Sequence, residues 1–281
     1  MPNDHKTSDN FCLQFTYNKA ALNVLIFDSG VGGLSVVQQI QQHLPHAHMT
    51  YLFDNQFFPY GELAEEVLLG RVSALITQIC QQQPIDMIVI ACNSASTLVL
   101  EQLRQQCPQP IVGVVPAIKP AAALTQTGCI GLLATPGTVK RPYTANLVTE
   151  FAPHIEVKML GSSELVQIAE AKLQGQPVSQ QRLEDIIAPL KAGNPAPDVV
   201  ILGCTHFPLL KEELQQAFGS KVKLIDSGVA IAKRVASLWC DKSSQVGLGK
   251  MYCTRWDKQT EQLKPAMLHF GFQSLSLFEV N

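Results

Sequence analysis

From residue 21 onward the chain alternates between two hydrophobic rhythms. Leu22–Phe27 is an apolar run of strand length, and the Gly-rich turn Asp28–Gly33 follows it. Beyond Leu34 the spacing changes: Val37, Ile40 and Leu44 fall on one helical face, and Pro45 predicts the stop. Met49–Phe53 predicts a second strand. Val67–Gln83 is amphipathic, with Leu68, Val72, Leu75 and Ile79 on one side, and predicts a helix. Ile85–Ala91 reads as a buried strand, Ser94–Gln106 as a helix and Ile111–Val115 as a strand. The same order restarts after Pro116: Cys129–Ala134, Ile155–Leu160, Val199–Gly203 and Val222–Ile225 are strand-like, with helical segments between them. Strands alternating with helices imply an α/β protein with parallel sheets covered on both faces. Residues 1–20 hold neither period and are expected to be an N-terminal extension.

Within this alternation lies a weak repeat. VLIFDSGVGG, beginning at Val24, resembles IGLLATPGTV, beginning at Ile130; IVIACNS, ending at Ser94, resembles VILGCTH, ending at His206. The offsets are 106 and 112 residues, so the two halves run nearly in step. The expected division is a first domain of residues 21–115 plus 227–281 and a second of residues 116–226. Pro116–Pro120 would make one crossing and Asp226–Ser227 the other. Ligands of open α/β sheets bind at the carboxyl ends of strands. Cys92 and Cys204 occupy such ends in equivalent turns, so two facing domains would set them across one cleft.

Composition narrows the function. Of 281 residues, 46% are apolar and only 16% charged, with a net charge of −2. Nothing draws the whole protein to nucleic acid or to an anionic membrane, although a local basic patch is compatible with these values. There are eight cysteines, with no CxxC or Cys/His metal spacing. The polar start MPNDHKTSDN lacks the core of a signal peptide, and no run of about 18 apolar residues suggests a membrane span. The expected location is the cytosol, where thiols stay reduced.

A thiol at Cys92, just before a helix, feels the positive end of the helix dipole, which favours thiolate. Asn93 and Ser94 offer polar groups beside it, and free backbone N–H groups there can hold a carboxylate. The competing reading is an inert buried cysteine. Cys204 is followed by Thr205 and His206; a lone histidine is more often structural, but this one stands two residues from a strand-end cysteine. Asp28, with Ser29 and the glycines after it, ends the first strand. Its loop reads GVGGLS rather than GxGxxG, which argues against a dinucleotide site. A carboxylate there can orient an ammonium or exchange protons with Cys92. Two opposed cysteines with no metal or cofactor motif suit inversion at a carbon: one thiolate removes a proton, and the other thiol delivers one to the opposite face. The carbanion also needs electrostatic stabilisation, because acid–base assistance typically supplies only about 10²–10⁴-fold.

FDSGVGGLSV, DNQFFPYG, ACNSAST, LLATPGTV and LGCTHFPLL, in this order and spacing, resemble the glutamate racemase family over Ala21–Asn281. The resemblance implies two Rossmann-like parallel-sheet domains related by pseudo-two-fold symmetry, with the active site between them and no pyridoxal phosphate or metal. It implies racemisation of glutamate, the D-glutamate feeding peptidoglycan synthesis. Cys92 would serve the D-enantiomer and Cys204 the L-enantiomer, assisted by Asp28 and His206. Asp28, Ser29, Tyr60, Gly61, Asn93, Ser94, Thr205 and His206 would bind the amino acid, and Glu170 would be a further acidic group. There are departures from the family pattern: Ser94 stands where many members have Thr, Ser162-Ser163 where many have Cys-Pro, and DNQFFPYG lacks an Arg before PYG. With the extension and VVPAIKP, these resemble a proteobacterial subgroup associated with activation by a UDP-muramyl precursor. Lys119 could bind such an anion; the competing reading is a solvated lysine beside a hinge. Some family members also inhibit DNA gyrase, making that protein a candidate partner. The rival readings are an aspartate racemase or related superfamily member, and a non-catalytic binding protein, which would not need both cysteines. Oligomeric state is left open.

Overall fold

The computed structural model describes residues 21–239 and 246–280. The expected extension at 1–20, with Cys12, and also Cys240, lie outside the described residues. Among the described residues, ten strands fall into two sheets. The first contains β1 (Asn23–Asp28), β2 (His48–Phe53), β3 (Met87–Ile90), β4 (Ile111–Gly113), β9 (Gly249–Cys253) and β10 (Phe272–Leu277), in the order β10-β9-β2-β1-β3-β4. The second contains β5 (Cys129–Ala134), β6 (Glu156–Gly161), β7 (Val199–Leu202) and β8 (Lys223–Ile225), in the order β6-β5-β7-β8. All these pairings are parallel. The order β2-β1-β3-β4 in one sheet is repeated as β6-β5-β7-β8 in the other, so the sequence repeat is a repeat of topology.

Side-chain alternation explains why β1 is apolar throughout. Val24 and Ile26 point to one face of the sheet, where they meet Val37 and Ile40 of the helix Leu34–His43 and Ile231 and Val235 of the helix Gly228–Ser237. Leu25 and Phe27 point to the other face, onto Leu68, Val72, Leu75 and Ile79 of the helix Glu65–Gln82 and Val99 of the helix Asn93–Gln106. A central parallel strand covered on both faces has no polar side to show. The second sheet follows the same rule, with Leu133, Val200 and Leu202 on one face and Ile130, Leu132, Val199 and Ile201 on the other.

Most boundaries agree with the sequence pattern to within two or three residues. Cys129–Ala134 agrees at both ends, whereas Ile85–Ala91 shortens to Met87–Ile90. The crossing expected at Pro116–Pro120 is partly helical, since the helix Ile118–Leu124 begins inside it.

Candidate active site

Cys92 lies two residues beyond β3, and Cys204 two residues beyond β7, the matching strand of the second sheet. Both thiols line one cavity, with Ser29, Pro59, Tyr60, Gly61, Asn93, Ser94, Thr135, Val166, Thr205 and His206. They are 5% and 6% exposed. The space between the walls is about 20 Å³, room for about one water.

The two cysteine turns differ, and the sequence gives the reason. Cys92 is the N-cap of the helix Asn93–Gln106, which starts at once. Pro208 follows Cys204 closely, and the chain there makes a short 3-10 turn, Phe207–Leu210, before the helix Lys211–Phe218. Cys204 is therefore served by a side chain rather than by a regular helix N-terminus. His206 Nδ1 lies 3.7 Å from its Sγ, and His206 Nε2 lies 2.7 Å from Glu170 Oε1. The same carboxylate oxygen accepts the backbone N–H of Val31 at 2.9 Å, so Glu170 ties the first loop to the second half.

Asp28 is fully buried at the end of β1. It accepts the backbone N–H of Ser29 at 2.7 Å and the hydroxyl of Thr205, across the cleft, at 3.0 Å. The Cys92 thiol donates to Ser29 Oγ at 3.7 Å. Burial raises the pKa of Asp28 above the usual carboxylate value, opposed by the charge of His206 and by the hydrogen bonds from Ser29, Thr205 and Cys92. Burial, then the Asp28 carboxylate, push the Cys92 thiol well up, against the lowering effect of the Ala95 N–H in the helix turn. This corrects the expectation of a thiolate at Cys92: in this closed cavity desolvation outweighs the helix terminus, and the group rests as a thiol. For His206 burial acts downward, yet hydrogen bonds and charge from Cys204 and Glu170 together raise it well above its ordinary value near 6.5.

Around these groups stands a polar wall. Ser94 Oγ contacts Thr135 Oγ1 at 3.1 Å, and the Thr135 hydroxyl donates to Thr138 Oγ1 at 3.0 Å. Tyr60 is fixed by its hydroxyl, which donates to the buried Asp54 at 2.6 Å; Arg71 and Thr254 donate to the same carboxylate. Asn93 Oδ1 is buried without a hydrogen-bond partner. Approach is close on both flanks. A Cβ on Gly32 would lie 2.4 Å from His206 Nδ1, and one on Gly61 2.9 Å from Thr135 Cβ. Only glycine allows the facing loops to meet in this way.

The expected residues Asp28, Ser29, Tyr60, Gly61, Cys92, Asn93, Ser94, Glu170, Cys204, Thr205 and His206 are thus brought together. Lys119 is not: it sits in the first turn of the helix Ile118–Leu124, its Nζ 5.5 Å from the centre of the Phe151 ring. Pattern reading passed over Thr135, Thr138 and Arg141. The repeat carried the signal for them: Thr135 is the counterpart of Ser29, and Arg141 of Ser35.

Two parallel sheets of like topology, meeting at a cavity walled by their strand-end cysteines, define a pseudo-symmetric α/β enzyme fold with paired thiols. Comparison with known proteins is specific. Residues 34–235 match the family model described as Asp/Glu/Hydantoin racemase. The chain is 50% identical over 267 residues to the glutamate racemase of Klebsiella pneumoniae, covering 94% of each chain. It is 52% identical over 260 residues to that of Vibrio vulnificus, covering 91% of this chain and 97% of the relative. A crystal structure of Escherichia coli glutamate racemase, in complex with L-glutamate and the activator UDP-MurNAc-Ala, superposes with a TM-score of 0.88 at 47% identity, covering 93% of this chain and 99% of that one. The chain belongs to the Asp/Glu/hydantoin racemase family, within it to the glutamate racemases, and is an isomerase.

Proposed function

We propose that this protein interconverts L- and D-glutamate by a two-base mechanism without metal or organic cofactor. The observation that carries the reading is the pair of thiols, Cys92 and Cys204, on matching strand ends of two like sheets and lining one cavity. In the L-to-D direction Cys204 takes the Cα proton, and its charge is offset by a protonated His206 held by Glu170. Cys92, resting as a thiol, delivers a proton to the opposite face. In reverse, Cys92 passes its proton to Asp28, whose basicity burial raises, and takes the Cα proton, while His206 protonates Cys204, whose thiol delivers that proton to the opposite face; the proton on Asp28 then returns to His206 through solvent. Asn93 Oδ1, unpartnered in the closed cavity, suits the substrate ammonium. Ser94, Thr205 and the N–H groups opening the helix Asn93–Gln106 suit the α-carboxylate, where negative charge grows as the carbanion forms. Ser29, Tyr60 and Gly61 complete the wall.

Glutamate does not fit the present cavity, so binding requires the halves to part. Division into residues 21–115 plus 227–281 and residues 116–226 accords with the return of β9 and β10 to the first sheet. The relative crystallised with UDP-MurNAc-Ala supports a UDP-muramyl precursor as activator here too. Lys119, beside the expected crossing, is the candidate cation for its phosphates. The role is supply of D-glutamate for peptidoglycan in the cytoplasm; no helix of the described residues is long and apolar enough to cross a membrane. The test is to incubate the purified protein with D-glutamate and follow the circular dichroism signal. Decay to zero, unchanged after exhaustive chelation, supports the reading. A static signal, or activity abolished by chelation and restored by a metal, contradicts it.

A further inference from the structure

Two contacts across the cleft occupy equivalent places in the repeat. Ser35, in the first half, places its hydroxyl 2.8 Å from the Thr205 carbonyl, just past Cys204, and 2.9 Å from the Gly32 carbonyl of its own turn, so its one proton is shared between them. Its counterpart Arg141, 106 residues on, donates from Nη1 to the Ser94 carbonyl and, at 2.7 Å, to Thr97 Oγ1, just past Cys92. Each half thus reaches over and holds the turn that carries the other half's cysteine. The two clasps differ in charge. Arg141 is only 7% exposed, and its Nε lies 3.5 Å from Glu65 at the start of a neighbouring helix. A buried guanidinium needs strong partners, and these two donations supply them. A cation in the first turn of a helix has the wrong sign for stabilising that helix. Its sign is right for an anion bound at that terminus. Ser94 is thereby held from the second half at its hydroxyl, by Thr135, and at its carbonyl, by Arg141.

The geometry points to Arg141 as a positioning residue for the Cys92 half of the reaction, with Ser35 its counterpart for the Cys204 half. This rests on the proposed two-base reading and on the assignment of Cys92 to the D-enantiomer. Racemisation itself cannot separate the halves. Its equilibrium constant is unity, so kcat/KM must change equally in both directions. A half-reaction can separate them. With 3-chloroglutamate, the cysteine base takes the Cα proton, that electron pair forms the Cα–Cβ double bond, and chloride leaves from Cβ, so no second base is needed. Arg141→Ala should lower elimination from the D-configured substrate at least about tenfold and change the L-configured one by less than about threefold. Ser35→Ala should show the reverse preference. Methylguanidinium should partly restore Arg141→Ala.

Arg141→Gln removes the charge and the Nη1 that makes both donations, so it should show the same selective loss and serves if the alanine variant does not fold. A folded Arg141 variant that eliminates from both enantiomers as the wild type does, or loses both equally, overturns the inference. A wild-type protein that eliminates from only one enantiomer, or racemises no glutamate, overturns the two-base reading instead.

Discussion

At the scale of single residues, the site stores charge where burial opposes it. Asp28 is fully buried and its pKa is raised, so ionising it costs stability as pH climbs from the usual carboxylate value through the raised one. Asp28→Asn should lower turnover by about 10²–10⁴-fold. The same variant should unfold, in calorimetry near pH 7, at or above the wild-type temperature; a large fall would mean that Asp28 is mainly structural. His206 has the opposite consequence. Its pKa is raised, so the stability its protonated form contributes is fully present below about 6.5 and fades as pH rises through the folded value. His206→Gln should therefore be most destabilising below about pH 6.5, and its gap from the wild type should narrow as pH rises above that value. A gap in unfolding temperature that widens with pH would contradict the charged His206–Glu170 pair.

At the scale of elements, the turn after β5 fits against the turn after β2 with no slack. A Cβ at Gly137 would lie 2.5 Å from the Gly61 carbonyl oxygen, a backbone atom with little room to retreat. Gly137→Ala should hold the two halves apart, raise KM at least about tenfold and leave the secondary structure intact; unchanged kinetics would mean that this seam is open in solution. The elements themselves were largely legible. Period-two and period-3.6 runs gave the strands and helices because a central strand such as β1 or a helix such as Glu65–Gln82 is dictated by which faces it buries. The 3-10 turn after Cys204 was less so, because Pro208 marks a break in the chain without fixing which kind of turn carries it. The expected thiolate at Cys92 came from its place before a helix, and the sequence had no measure of how completely the facing half would dry it. Arg141 escaped notice because its partners, Ser94 and Thr97, are distant in sequence.

At the scale of the whole molecule, a cavity of about 20 Å³ is too small for glutamate, and the proposed function therefore predicts that entry and release move one sheet against the other. Backbone amides of the loops at residues 28–35, 58–62 and 203–207 should exchange hydrogen faster without glutamate than with it, because the open form exposes them and the closed form does not. Equal exchange in both conditions would point to a rigid site with another route of entry. Closure also serves the chemistry, since a water-excluded site strengthens every interaction with the developing carbanion. The near-equivalence of the two sheets suits a reaction whose substrate and product are mirror images; on the proposed two-base reading one thiol serves each face. The most direct test removes one thiol at a time and reads only the deprotonation step. Cys92→Ser and Cys204→Ser should each fail to racemise glutamate, because a serine hydroxyl is far less acidic than a thiol of unperturbed pKa about 8.5. With 3-chloroglutamate, Cys92→Ser should still eliminate chloride from the L-configured substrate and Cys204→Ser from the D-configured one. If both variants favour the same enantiomer, one cysteine is not a base and the two-base account is wrong.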